Sequence, residues 1–428
     1  QQQEPVEISE LETTENNDLS KSSESITVDE SIAEDILATQ ADTAVVVGTV
    51  SDYLTAKGDA KLYNINLPAG VYLQAQLTTP ANADLDYDLY LLDAEGNILT
   101  GSDYYTYING TAGTLPEALG YITSGDTATY YLYVLASEGG SVSESFTLDY
   151  SVSTACDSYE IDESVRQALA FTYGAGGAYI ESRNLSSPID NDWYVITVPS
   201  SRIYDKLKIS ATTASTNTCS VEVYQNVASE GYQMKRVGSG NTISVSSGKY
   251  YIRVSNAKTM ENFDDLDIQN YKLSITPILK ATGIVITDLK GSEGLNKVVN
   301  YPGYGAHFRT QGSGTLTVYG VLTATDSSTG VTYAVGGEQI NGLYYSPAWE
   351  ANNTSANAIR RGTGTTDSSG KFEIDISLPP GIGVYSYYGS TSTHYFDICG
   401  VSVSPSDDSS ISASETIFHL AYTMYHPF

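Results

Sequence analysis

Carboxylates at spacings that could hold a metal are the first chemistry this sequence offers. Asp84, Asp86 and Asp88 alternate, so on an extended strand all three would face one side, about 6–7 Å apart. Three unneutralised carboxylates at that distance repel, and a hard divalent cation that prefers oxygen ligands would relieve the repulsion, with calcium the natural occupant. Asp264, Asp265 and Asp267 form a comparable group. The plain alternative for both is a solvated acidic segment. Nothing else in the chain calls for a cofactor.

Catalysis has little to work with. There is no GxSxG elbow, HExxH helix or phosphate-binding glycine loop. The histidines, His307, His394, His419 and His426, all fall in the last third. In so acidic a chain no glycosidase-like carboxylate pair stands out. The expectation is therefore a protein that is not an enzyme. The cysteines are Cys156, Cys219 and Cys399, an odd count. Cys156 and Cys219 could form a disulfide, or behave as small buried hydrophobes. With no CxxC or Cys/His cluster, zinc is not indicated. Aromatic contacts are the other feature. Tyr104, Tyr105, Tyr107, Tyr385, Tyr387, Tyr388 and Tyr395 fall in turn-like segments, and Tyr344-Tyr345-Ser346-Pro347-Ala348-Trp349 reads as a loop. Exposed tyrosines and Trp349 would suit protein or glycan contacts, because they give large area at low entropy cost. Trp193 instead reads as core.

The elements that must position these groups are strands. At 428 residues the chain is too long for one ordinary core. Lys+Arg 21 against Asp+Glu 51 gives a net charge of −30, which repels nucleic acid and anionic membranes. Tyr, Thr, Ser, Val and Gly dominate over helix formers, a β-rich composition of secreted type. No apolar run is long enough to insert in a membrane. Gln1-Gln2-Gln3 reads as a mature end left by signal cleavage.

Residues 1–42 form an acidic arm, with eleven acidic residues and one basic, Lys21, among the first 40. Alone it buries too little apolar surface to fold, so a flexible linker or an arm ordered on a partner is expected. Ile32, Ile36 and Leu37 have the spacing of a short docking helix. From Thr43 short alternating segments begin, punctuated by Gly, Pro, Asn and Asp. Lys61 to Leu67 puts Tyr63, Ile65 and Leu67 on one face. Val71 to Leu77, Asp88 to Leu92, Tyr130 to Leu135 and Ser145 to Tyr150 follow, the pattern of an antiparallel sandwich over 43–153. Residues 154–278 repeat the plan. Asp192 to Val198 corresponds to Lys61 to Leu67, each ending at a proline, and Lys249 to Val254 corresponds to Tyr130 to Leu135.

The stretch Asp157-Ser158-Tyr159-Glu160-Ile161-Asp162-Glu163-Ser164, the run Ile189-Asp190-Asn191-Asp192-Trp193-Tyr194 and the closing Tyr271-Lys272-Leu273-Ser274-Ile275 resemble the bacterial pre-peptidase C-terminal domain. Its usual opening reads Asp-x-Tyr-Glu-Pro-Asn-Asp-Ser, from which this chain departs at Ile161-Asp162. The first unit carries the family's Asp-Leu-Tyr strand in Asp88-Leu89-Tyr90 but lacks the Tyr-Glu opening and the Trp-Tyr pair. The resemblance implies jelly-roll-like β-sandwiches, non-catalytic, attached to secreted bacterial enzymes and surface proteins, some of them calcium-binding. A third unit, 279–428, holds the long alternating run Gly314 to Thr325 and the segment Thr366-Asp367-Ser368-Ser369-Gly370-Lys371-Phe372, which resembles carboxypeptidase-regulatory, prealbumin-type or Ig-like sandwiches.

The expectation from sequence is thus an all-β chain of three consecutive antiparallel sandwiches behind an acidic arm. Its expected role is structural or adhesive, at or beyond a bacterial surface, as a self-assembling fibre subunit joined through its arm to copies of itself or to another surface protein. The alternative is an accessory module set that binds polysaccharide or protein and targets a secreted hydrolase.

Overall fold

Alternation of apolar and polar residues dictates strands through most of the chain, and the computed structural model is built of them. The structure describes residues 23–25, 45–82, 84–103, 105–108, 111–112, 115–154, 157–213, 219–229, 232–239, 241–256, 269–292, 295–301, 305–310, 314–347, 358–380, 383–388, 391–395 and 397–426. Helix is confined, among these, to short turns such as the 3-10 segment Val165–Gln167. None is long and apolar enough to cross a membrane.

The first sandwich pairs a five-stranded sheet with a four-stranded one. The five strands run in the order Ser23–Ser25, Ala60–Leu67, Ala128–Glu138, Asp86–Leu92, Ile98–Ser102. The four are Val45–Asp52, Phe146–Ser153, Tyr72–Thr78 and Glu117–Ile122. Tyr63, Ile65 and Leu67 all point inward, as their alternation requires, and meet Leu73, Leu77 and Leu148 of the opposite sheet. Each such side chain contributes about 1.5–3 kcal/mol by leaving water. The expected acidic arm is described only at Ser23–Ser25, which adds in parallel to the edge strand Ala60–Leu67 with Glu24 opposite Tyr63. Ile32, Ile36 and Leu37 lie outside the described residues.

The second sandwich repeats the pairing order of the first. Asn191–Val198 pairs with Gly248–Asn256, which pairs with Cys219–Asn226, just as Ala60–Leu67 pairs with Ala128–Glu138 and that strand with Asp86–Leu92. Its second sheet holds Ala178–Leu185, Gln269–Leu279, Tyr204–Thr213 and Thr242–Ser244. The adjacent Trp193 and Tyr194 point to opposite faces and both are buried, so this strand serves two cores. Tyr194 faces the space between the sheets, where its hydroxyl lies 2.5 Å from that of Tyr271. Trp193 packs on the other face among Leu115, Val165, Tyr224, Met234 and Tyr251.

Leu115 belongs to the first sandwich, and so does the hairpin Tyr105–Ile108 and Thr111–Ala112, which extends the second sandwich's sheet by pairing in parallel with Gln233–Ser239. Arg166 reaches back to Asp103 with Nε at 2.9 Å and lies 5.5 Å over the Tyr232 ring. Through these contacts the two sandwiches join in one compact unit. Residues 1–198 and 207–276 form one compact unit, and 199–206 with 277–428 form the other.

The C-terminal unit sets Gly283–Gly291, Gly314–Thr325, Thr332–Ala334 and Lys371–Leu378 against a larger sheet of Leu295–Tyr301, Gly305–Thr310, Ala413–His426, Asp397–Pro405, Gln339–Tyr345 and Ile359–Thr365. Gly383–Tyr388 and Thr391–Tyr395 extend that sheet from Ala413–His426. Leu316, Val318, Phe372, Ile374 and Val401 fill its core.

Several expected contact residues are placed otherwise. Tyr344 and Tyr345 lie in a strand, not a loop, and Tyr344 is fully buried with its hydroxyl 3.1 Å from Cys399 Sγ. The period-2 pattern that buries Ile340 and Gly342 continues through Tyr344. Tyr345 is half-buried. Tyr105 and Tyr107 are strand residues in the added hairpin, Tyr385, Tyr387 and Tyr388 lie in Gly383–Tyr388, and Tyr395 in Thr391–Tyr395. Tyr104 and Trp349 lie outside the described residues.

Candidate metal centre

The carboxylates that converge are not the alternating aspartates. Asp84 is exposed in a turn ahead of strand Asp86–Leu92, so the three do not share a strand face. Asp86 is half-buried and burial raises its carboxyl to about 6; Asp88 is buried, and burial followed by repulsion from Asp86 raises it to about 7. Asp88 is nonetheless partnered by Ser137 Oγ at 3.2 Å and Tyr90 OH at 3.3 Å. Asp264, Asp265 and Asp267 lie outside the described residues, as does Cys156. Cys219 is a free, partly buried thiol, and Cys399 is a buried thiol beside the Tyr344 hydroxyl.

Convergence occurs instead where the segment 157–164 and the run 186–192 meet the outer face of strand Tyr72–Thr78. Among the described residues two groups place carboxylate oxygens within 4.8 Å of one another: Glu160, Asp162 and Asp192, and Glu160, Glu163 and Asp190. Strand alternation aims Asp192 into the sandwich beside Tyr194, and Asn191 outward towards the first sandwich. Asn191 donates its backbone N–H to Glu163 Oε2 at 3.1 Å and its side-chain amide to Gln76 Oε1 at 3.2 Å. Gln74, two residues away on the same face, donates Nε2 to Glu163 Oε1 at 2.8 Å. Close approach is made possible by Gly120, where a Cβ would fall 2.6 Å from Glu163 Cγ and 2.7 Å from the Tyr72 hydroxyl.

The two groups differ in how their charge is met. Arg183, fully buried, donates Nη1 to Asp157 Oδ1 at 2.7 Å and Nη2 to Asp162, stands 3.3 Å from Asp192 Oδ1, and donates Nε to Tyr194 OH at 2.7 Å. It is turned inward from an edge strand by a β-bulge between Ile180 and Arg183 that puts Ser182 at φ 63°. Burial disfavours its charge, but Asp192 and Asp162 more than offset this and hold the guanidinium protonated.

The group of Glu160, Glu163 and Asp190 has no cation in contact, although the Arg183 charge is felt at Asp190. The Tyr72 hydroxyl lies between Glu160 Oε2, at 2.9 Å, and Glu163 Oε1, yet has one proton for two acceptors. Asp190 accepts the Ser186 backbone N–H through Oδ2. Glu160 Oε1 and Asp190 Oδ1 are sealed from water without a well-formed hydrogen bond, as are the neighbouring Gln74 Oε1 and Ser186 Oγ and, on the guanidinium's side, Asp162 Oδ1 and Asp192 Oδ1, although Glu160 touches Asp162 and Asp190 touches Ser186 and Gln74. Burial, then repulsion from Asp190, raises Glu160 to about 8; burial raises Asp190 to about 6 and pushes Glu163 well above the usual range. Anionic oxygens left bare in a low-dielectric seam are costly unless protonated or bound to a cation. The donor set is oxygen throughout, with no His or Cys, which fits calcium or another hard divalent ion and not a soft transition metal. Glu160 alone of the three is part-exposed, leaving an approach from solvent.

Sequence reasoning passed over this cluster because its two halves, Glu160 to Glu163 and Asp190 to Asp192, are separated in the chain by an intervening strand. The signal was nevertheless present in the stretches Asp157–Ser164 and Ile189–Tyr194, which supply all five carboxylates of the two groups.

Fold and site together define an all-β sandwich protein with a buried oxygen cage between tandem modules. No family model matches the chain. An uncharacterised protein of Bacillus subtilis (strain 168), YlqB, is 36% identical over 74 residues, 17% of this chain and 46% of that protein. The chain therefore spans under half the length of the curated relative it matches. Solved structures with some likeness include an Aeromonas hydrophila periplasmic inhibitor of g-type lysozyme (10% identity, 31% of this chain and 96% of that one, TM-score 0.18). The CUB1-EGF-CUB2 region of human MASP-1/3 (11%, 54% and 99%, 0.17) and the tandem CBM22 domains of Paenibacillus barcinonensis Xyn10C (11%, 56% and 92%, 0.17) are others. Likeness at this level carries no functional argument.

Proposed function

We propose that this chain is a non-catalytic bacterial surface protein, secreted and structural or adhesive, in which a calcium ion held by Glu160, Glu163 and Asp190 fastens the sandwiches 45–153 and 157–276 into one stiff element. The observation that carries the reading is the convergence of carboxylate oxygens of Glu160, Glu163 and Asp190, with no cation in contact and with Glu160 Oε1 and Asp190 Oδ1 sealed and without a well-formed hydrogen bond, where side chains of both sandwiches meet. The resemblance to pre-peptidase C-terminal domains supports the same reading.

The test is calorimetric titration with calcium chloride beside thermal unfolding over about pH 5 to about pH 9. In chelator, carboxyls whose pKa is raised by folding favour the folded state while protonated. Their contribution is present at low pH and lost as pH rises through about 6 for Asp190 and about 8 for Glu160. The melting temperature should therefore fall across that window in chelator, and calcium should abolish the fall. No heat of binding and no shift in melting at millimolar calcium would end the proposal.

A second reading concerns self-association. Ser23–Ser25 supplies a strand to the edge of Ala60–Leu67, and the same segment of a second copy would fit the same edge. Light scattering should then give a mass above about 46 kDa for the whole chain. Deleting residues 1–40 should return it to a monomer; a monomer in both cases removes the fibre model and leaves the binding-module alternative, to be probed on a glycan array.

A further inference from the structure

The cluster contains two overlapping carboxylate groups that share Glu160, and on charge alone each would call for a cation. We infer that Arg183 is the built-in occupant of the second position, so that the cluster takes one divalent ion, at Glu160, Glu163 and Asp190, and none at Glu160, Asp162 and Asp192. The inference rests on the calcium reading and specifies its stoichiometry.

Three observations carry it. The guanidinium pairs with Asp162 and Asp192 of its group and with Asp157 beside them, leaving Glu160 unpaired with it and Asp162 Oδ1 and Asp192 Oδ1 without a hydrogen bond, and neither Glu163 nor Asp190 is paired with it. Its surroundings are closed: the Tyr159 ring lies 5.0 Å from the guanidinium carbon and that of Tyr194 5.5 Å, while the Tyr271 hydroxyl completes Asp192 from behind. A divalent ion entering there would be repelled by a fixed positive charge in a low-dielectric space. Finally, the backbone is shaped to deliver the side chain, since the bulge at Ser182 turns Arg183 inward from an otherwise polar edge strand whose neighbours Glu181 and Ser182 are exposed.

The experiment is ion counting by native mass spectrometry and calorimetry with calcium chloride, on the wild type and on Arg183→Gln, Arg183→Lys and Asp157→Asn. One ion is expected for the wild type and for Arg183→Lys, and two for Arg183→Gln. Asp157→Asn, which alters a partner of the guanidinium that belongs to neither carboxylate group, should change calcium affinity less than about threefold. Two ions in the wild type would overturn the inference. So would a single ion in folded Arg183→Gln, or a loss of affinity of about 100-fold in Asp157→Asn, the top of the range for a group that supports a metal's ligands. Should Arg183→Gln not fold, the wild-type count and Asp157→Asn decide the matter. Zero ions in the wild type would instead strike down the calcium reading itself, a different result from two.

Discussion

Asp190→Asn should lower calcium affinity by at least about 100-fold, the scale on which loss of a metal's supporting or direct carboxylate is felt. At calcium about 100 times its dissociation constant the wild type gains about 2.7 kcal/mol, which for a unit of this size raises the melting temperature by roughly 5–10 °C. The variant should show almost none of that rise. Its behaviour in chelator is the discriminating half of the result. Asp190 Oδ1 makes no well-formed hydrogen bond, though Asp190 touches Ser186 and Gln74, and its charge faces Glu160 and Glu163 across the seam. Asn keeps the oxygen that accepts the Ser186 N–H and removes the charge, so apo Asp190→Asn should be at least as stable as apo wild type at about pH 8. The two stability curves therefore cross as calcium is added. A variant that is equally weakened with and without calcium would show Asp190 to be a packing residue and not a ligand.

Trp193→Ala should be the most damaging single change in the larger unit, at about 3–5 kcal/mol. The indole is 1% exposed, lies 5.5 Å from the Tyr224 ring, and is the surface on which Leu115 of the first sandwich packs. Its removal leaves a void that strands on either side cannot close without breaking their ladders. Urea unfolding followed by circular dichroism should show a lower midpoint, with Trp193→Phe at less than half the loss. Since Asp192 and Asn191 precede it on the same strand, Trp193→Ala should also weaken calcium binding, whereas Tyr344→Phe, in the other unit, should not.

The sandwich cores were legible because strand periodicity is local. Tyr63, Ile65 and Leu67 announce their face within seven residues, and Gly314–Thr325 was readable in full from its alternation. The same local rule misled where it was applied to charge. Asp84, Asp86 and Asp88 alternate, but Asp84 precedes the strand, and the strand's burial partners Asp88 with Ser137 and Tyr90. The cage was not legible for the opposite reason. Glu160 and Glu163 meet Gln74 and Tyr72 across nearly a hundred positions of chain, and Arg183 enters only because a bulge rotates it. Tyr344 was misplaced by its Ser-Pro neighbours, which suggest a turn, while the inward phase set by Ile340 decides its fate.

The hairpin Tyr105–Ile108 with Thr111–Ala112 has a consequence for how the protein is made. Its partner strand, Gln233–Ser239, is translated long after it, so on the ribosome the first sandwich emerges with a strand edge that nothing yet covers. Non-local pairings of this kind slow folding and lengthen the interval in which one nascent chain can capture another. The larger unit should thus reach its final form only after the second sandwich is complete.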